Sequence, residues 1–157
     1  MYSETTATIK NMKKEKIIIY TDGGSRGNPG NAGAGAVIFS EDGTKIKSTH
    51  KALGVMTNNE AEYEAIILAF ELAKKTFGKE KLAKMDVELR ADSELLVKQL
   101  NGIYQVKEER FFSYFMNIWN ARITTFPNLV IKHIPREQNT EADRLANEAM
   151  DGAQTLL

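Results

Sequence analysis

Four carboxylates occupy positions for which a folded protein has little packing use. Asp22 ends the apolar run Ile17-Ile18-Ile19-Tyr20-Thr21 and opens the glycine-rich stretch Gly23-Gly24-Ser25-Arg26-Gly27-Asn28-Pro29-Gly30. Glu62 lies in the first turns of a long helical pattern, on its apolar stripe. Asp92 ends the alternating run Val87-Glu88-Leu89-Arg90-Ala91, and Asp143 begins the last helical segment. Acids gathered from strand ends and helix starts repel one another unless a cation lies between them. Carboxylate oxygens are hard donors, and hard divalent cations are what such donors hold. The pattern points to metal-dependent phosphoryl chemistry.

Three of the acids also have plainer uses. Asp22-Gly23 could open a turn, and Asp92 could cap the helix that follows it. Asp143, three residues after Thr140, could complete a capping box. Glu62 has no such use, because Thr57 and Glu60 already supply the capping pair of its helix. An unsatisfied polar group on a buried stripe costs about 1–3 kcal/mol. The four together weigh more than any one alone.

Periodicity gives the elements that must position them. Lys16 to Thr21 is predicted as a buried strand, and Gly33 to Ser40 with Thr44 to Lys51 as a hairpin on Glu41-Asp42-Gly43. Thr57 to Phe77 is predicted as a helix stopped by Gly78. At about 100° per residue, Glu60, Glu64, Glu71 and Lys75 share one face of that helix and Ile66, Ala69, Phe70 and Ala73 the opposite one. Met85 to Ala91 reads as a second central strand, Ser93 to Asn101 as a short helix and Arg110 to Thr124 as a helix rich in aromatics. Asn128 to Ile134 is a strand ended by Pro135, and Thr140 to Met150 is the closing helix. Phe111, Phe112, Tyr114, Phe115 and Trp119 read as core, and His50 as a surface residue.

Strands first, then strands alternating with helices, imply an α/β fold: a mixed sheet with helices on both faces. Ligands of such sheets gather at the carboxyl ends of parallel strands, where Asp22 and Asp92 stand. The glycine stretch lacks the Gly-Lys-Ser/Thr ending of a phosphate-cradling loop and does not spell G-x-G-x-x-G. It reads as a tight turn bringing backbone to a ligand, with Asn28, held extended by Pro29, aiming its amide at a phosphate or sugar.

A chain of 157 residues, 42% hydrophobic and 27% charged, fits one domain with a real core. Residues 1–14 read as a flexible arm, 15–152 as the domain and 153–157 as a tail. Zero net charge excludes nucleic-acid binding by bulk charge alone. The absence of cysteine excludes disulfides and thiolate metal sites. Apolar runs are too short to span a membrane and follow no signal peptide, so a cytoplasmic protein with no membrane partner is expected.

The chain resembles the type-1 ribonucleases H. The resemblance rests on Tyr20-Thr21-Asp22-Gly23-Gly24 with Gly27-Asn28-Pro29-Gly30, on Thr57-Asn58-Asn59 with Glu62, on Ala91-Asp92-Ser93, and on Asn139-Thr140-Glu141-Ala142-Asp143. It runs from about Lys16 to Met150. It implies a ribonuclease H-like fold with a five-stranded mixed sheet, the first three strands antiparallel. It implies that Asp22, Glu62, Asp92 and Asp143 bind two magnesium ions, with manganese as a substitute, and hydrolyse the RNA strand of an RNA–DNA hybrid. Two cations about 3.5–4 Å apart would flank the scissile phosphate, leaving 5′-phosphate and 3′-hydroxyl ends. Asn28, Asn59 and the amides near Gly23 would read RNA 2′-hydroxyls, Thr57 and Asn58 would hold the DNA backbone, and Ser93 would join these contacts.

Against the family pattern, Asn101 to Arg110 is short, with only Lys107 and Arg110 as cations, where many members insert a basic protrusion. This matches the subgroup without the protrusion or a hybrid-binding domain, a monomer with no obligate protein partner, and implies weaker hybrid binding. The family's product-releasing histidine corresponds in spacing to His133, ten residues before Asp143, but His133 falls in a strand. Arg136, in the loop that follows, is the better placed candidate. A same-fold nuclease for double-stranded RNA or DNA, or a non-catalytic hybrid-binding module, is the alternative.

Overall fold

A computed structural model of the chain describes residues 14–155. Except for Lys14, the arm expected over residues 1–14 lies outside them. The central strand β1, Lys16–Gly27, alternates between faces, sinking Ile17, Ile19, Thr21 and Gly23. It pairs antiparallel with β2, Gly30–Ser40, which pairs antiparallel with β3, Lys45–Met56. On its other side β1 pairs in parallel with β4, Asp86–Ala91, which pairs in parallel with β5, Leu129–His133. The sheet order β3-β2-β1-β4-β5 is the predicted five-stranded mixed sheet.

The glycine stretch is corrected. It is strand, not loop: β1 stays in register with β2 as far as Gly27 opposite Gly30, and only Asn28 and Pro29 make the turn. Glycine lacks the side chain that makes a strand recognisable, so the sequence read as punctuation what is a continuous ladder.

Helix α1, Asn58–Phe77, starts as predicted. Thr57 Oγ1 accepts from the Glu60 amide at 3.2 Å, Glu60 Oε1 from the Thr57 amide at 3.4 Å, and Gly78 ends the helix at φ 82°. A short helix α2, Lys79–Leu82, follows that the sequence did not announce. Then come α3, Glu94–Leu100, a 3-10 turn at Glu109–Phe111 and α4, Phe112–Thr124. A second 3-10 turn at Arg136–Gln138 leads into α5, Thr140–Thr155, longer than the predicted stop at Met150.

Opposite residues of an antiparallel pair share a face, and successive residues alternate. Gly23 and Ala34 therefore face α1, while Asp22, Gly33 and Gly35 face α5. The main core lies on the α1 side, where Ile17, Ile19, Leu89, Ile66, Ala69 and Phe70 meet. On the other face α5 lays Ala142, Leu145, Ala146 and Ala149 over β2. The aromatic cluster is only partly core. Phe111 is buried and stacks on Tyr63, but Phe112 and Trp119 are 46% and 47% exposed.

Candidate active site

β4 ends at Ala91, opposite Thr21, whereas β1 continues with β2 as its sole partner. Past that fork the sheet is open on one side of β1, and side chains from helices on opposite faces can meet there. Asp22 stands at the fork.

Two close backbone approaches bring the helices in. A Cβ on Gly23 would lie 2.1 Å from the Ala61 carbonyl oxygen, so only glycine lets the first turns of α1, and with them Glu62, press on β1. On the other face, a Cβ on Gly35 would lie 2.6 Å from the Ala142 carbonyl oxygen. Gly35 is the register partner of Asp22, and Ala142 precedes Asp143, so this contact sets Asp143 beside Asp22. Gly23 and Gly35 thus serve helix–sheet contact.

The outcome is one cleft of about 410 Å3, lined by Asp22, Glu62, Asp92, Asp143 and Arg136 together with Gly23 and Asn58. All four acids are half-buried. Burial first, then the Asp92 and Asp143 carboxylates and Glu62, push the Asp22 carboxyl up to about 8. Burial also raises Glu62 to about 7, with Asp92 adding to the shift and a hydrogen bond from Ser93 opposing it. Two carboxyls near neutrality are what a crowded acid set becomes without a cation.

The plainer uses of Asp92 and Asp143 fall away. Ser93, not Asp92, caps α3, its Oγ accepting from the Leu96 amide at 3.3 Å. Thr140 is already the first residue of α5, so Asp143 stands one position beyond a capping-box acid. Asn58 Oδ1 accepts from the Ser25 amide at 2.8 Å, and Asn28 Oδ1 accepts from the Asn58 amide at 3.1 Å, locking the β1–β2 turn to the start of α1. Thr57 spends its hydroxyl in the cap.

Asn59, one residue beyond Asn58, faces a second groove of about 420 Å3 with Leu95, Tyr104 and Lys107. Arg136 is 84% exposed and holds Nη2 3.9 Å from Asp143 Oδ1. His133 is exposed at the end of β5 and does not line the acid cleft. It lies instead towards Glu94, a carboxyl held low first by Lys98 and least by His133.

One residue was missed. Asn139 is buried, and its Nδ2 donates to Thr21 O and to Asp92 Oδ2, each at 2.9 Å. The sequence showed it only as part of a motif, and nothing in its type or spacing revealed a hydrogen bond to an acid in another element.

The donor set is oxygen only, which suits magnesium or manganese. Among the described residues no three His, Cys, Asp or Glu side chains close into a ready-made cage.

The family model described as reverse transcriptase-like matches residues 20–149. Ribonuclease HI of Halobacterium salinarum is 38% identical over 96% of this chain and 72% of its own length. The chain belongs to the type-1 ribonuclease H family. Ribonucleases H are hydrolases, and this chain is one of them. The solved structure of LC11-RNase H1, isolated from compost, superposes with a TM-score of 0.84 at 52% identity, covering 88% of this chain and 98% of that one. A second structure of LC11-RNase H1, in complex with an RNA/DNA hybrid, has the same TM-score of 0.84 at 50% identity, over 88% of this chain and 99% of that one. A bifunctional protein of Mycobacterium tuberculosis is 40% identical over 88% of this chain, which spans 36% of that protein's length. Among the described residues no helix is long and apolar enough to cross a membrane.

Proposed function

We propose that this ribonuclease H hydrolyses the RNA strand of RNA–DNA hybrids at the cleft formed by Asp22, Glu62, Asp92 and Asp143, leaving 5′-phosphate and 3′-hydroxyl ends. The observation that carries the reading is the convergence of these four carboxylates at the β1–β4 fork, beside backbone and amide groups suited to ribose. The hybrid bound to LC11-RNase H1 supports the choice of substrate.

Asp22, Glu62, Asp92 and Asp143 would hold magnesium, or manganese, with the substrate phosphate. When bound, two such ions supply the charge that generates hydroxide and stabilises the leaving oxygen. Asp22 and Glu62, pushed up to about 8 and 7 by burial and neighbouring acids, would give up their protons to hold a cation. Ser93 steadies Glu62 by donating to its carboxylate. Arg136, exposed at the rim and next to Asp143, draws the 5′-phosphate product away.

The start of α1 divides the cleft from the second groove, with Asn58 on one side and Asn59 on the other. The RNA strand lies over the acids and the DNA strand in the groove of Tyr104 and Lys107, where Asn59 meets DNA in place of the RNA 2′-hydroxyls expected of it. Asn28 turns its Nδ2 to a ribose hydroxyl, its Oδ1 being held by the Asn58 amide. The enzyme acts as a monomer in the cytoplasm.

The test is cleavage of an end-labelled hybrid beside single-stranded RNA, double-stranded RNA and double-stranded DNA, each with magnesium, manganese or chelator. Metal-dependent cutting of the hybrid RNA strand, lost in Asp22→Asn, is the expected result. Preference for either homoduplex would assign the fold to a different nuclease. Metal-independent hybrid binding with no cutting would make it a binding module.

A further inference from the structure

We infer that Asn139 is a positioning residue of the acid site: its side-chain amide pins the Asp92 carboxylate to the β1–β4 fork. The inference rests on the proposed metal-dependent cleavage and goes beyond it, since the residue is neither an acid nor placed to touch substrate.

Asn139 is 1% exposed. Both hydrogens of Nδ2 are committed, one to the backbone oxygen of Thr21 and one to Asp92 Oδ2, each at 2.9 Å. Thr21 precedes Asp22 on β1, and its register partner Ala91 precedes Asp92 on β4. The amide therefore bridges the two strands at the position where they part. The Asn139 backbone oxygen accepts from the Asp143 amide at 3.1 Å, in the first turn of α5. A single residue thus touches the segments that carry three of the four acids.

The orientation of the amide follows from its partners. Both facing atoms are oxygens that can only accept, so only the nitrogen end can face them. The other end, Oδ1, is buried and finds no hydrogen-bond partner among the described residues. Burying an unsatisfied carbonyl opposes folding, so packing alone does not account for asparagine here. Its donor end does: a carboxylate with one oxygen fixed presents the other in a defined direction. Groups that orient metal-binding side chains in this way govern the strength of the site without entering it.

Asparagine and aspartate have nearly the same shape, which separates donation from packing. Asn139→Asp would set a carboxylate oxygen against two acceptors, while Asn139→Ala removes the donor and leaves space. Manganese affinity is measured by calorimetric titration of the full chain, and steady-state cleavage of hybrid in parallel, with circular dichroism in chelator to establish folding. The expected result is a folded Asn139→Asp protein whose manganese affinity and kcat fall about 10- to 100-fold, with KM for hybrid unchanged and Asn139→Ala no worse. Wild-type manganese affinity in Asn139→Asp, or damage in Asn139→Ala alone, would overturn the inference. If Asn139→Asp does not fold, Asn139→Ala decides by the same calorimetric readout, with retained affinity overturning the inference. Failure of the wild type to cut hybrid would sink the proposed function, yet the manganese titration would still decide on Asn139; wild type that binds no manganese would sink both.

Discussion

A Cβ added to Gly23 would lie 2.1 Å from the Ala61 carbonyl oxygen and 2.6 Å from the Glu62 amide nitrogen. Strand β1 and helix α1 touch backbone to backbone at the turn that carries a carboxylate. Gly23→Ala must then push Glu62 away from Asp22 or strain the core, costing about 1–3 kcal/mol. Its neighbour is the control, for a Cβ on Gly24 would make only ordinary contacts, with Met150 Cε at 3.8 Å and Asn58 Oδ1 at 4.0 Å. Urea unfolding and hybrid cleavage should both show Gly23→Ala strongly impaired and Gly24→Ala near wild type.

The raised carboxyls fix the direction of a pH effect. Burial and neighbouring acids push Asp22 up to about 8 and Glu62 to about 7, so the folded chain binds protons that the unfolded chain has lost by about pH 5. Where the folded state binds more protons, stability falls as pH rises. In chelator, the melting temperature should therefore drop between about pH 5 and pH 8, and Asp22→Asn should flatten the slope while stabilising the protein at pH 8. Magnesium or manganese should restore wild type at the same pH. A wild-type melting temperature that climbs over this range would defeat the assignment.

Arg136 lines the acid cleft and His133 does not. Arg136→Ala should slow turnover more than His133→Ala, with product release the step affected. A burst of product followed by a slower steady state in Arg136→Ala, measured by rapid quench, would place the loss after chemistry. The reverse order of activities would hand the role to His133.

The second groove gives a different signature. Lys107 lines it beside Asn59 and Tyr104, away from the acids. Lys107→Ala should raise KM for hybrid with kcat unchanged, and reduce the slope of log affinity against log salt by about one. An unchanged salt slope would mean that no phosphate contacts that lysine.

What the sequence disclosed follows the physics of each signal. Glu62 stood out because a carboxylate on an apolar stripe breaks a periodic pattern, and the Thr57–Glu60 cap fixed where its helix begins. The strands carrying Asp22 and Asp92 were legible from alternation. The extension of β1 through Gly27 was not, because the glycine at 23 answers to a helix packing across the sheet, a long-range cause with no local trace. Asn139 escaped for the same reason: Thr21 and Asp92, the partners of its Nδ2, lie 118 and 47 residues away. Phe112 and Trp119 were misjudged as core since helical periodicity names a face without saying what covers it.

Asp22 sits within a strand, laddered to β2 on both sides of it, and not on a loop. A carboxylate so placed cannot drift from its partners by a local hinge; it leaves only when the sheet itself comes apart. Thermal inactivation and unfolding should consequently be a single event, with turnover accelerating on heating up to the edge of the melting transition and no inactive but folded interval before it.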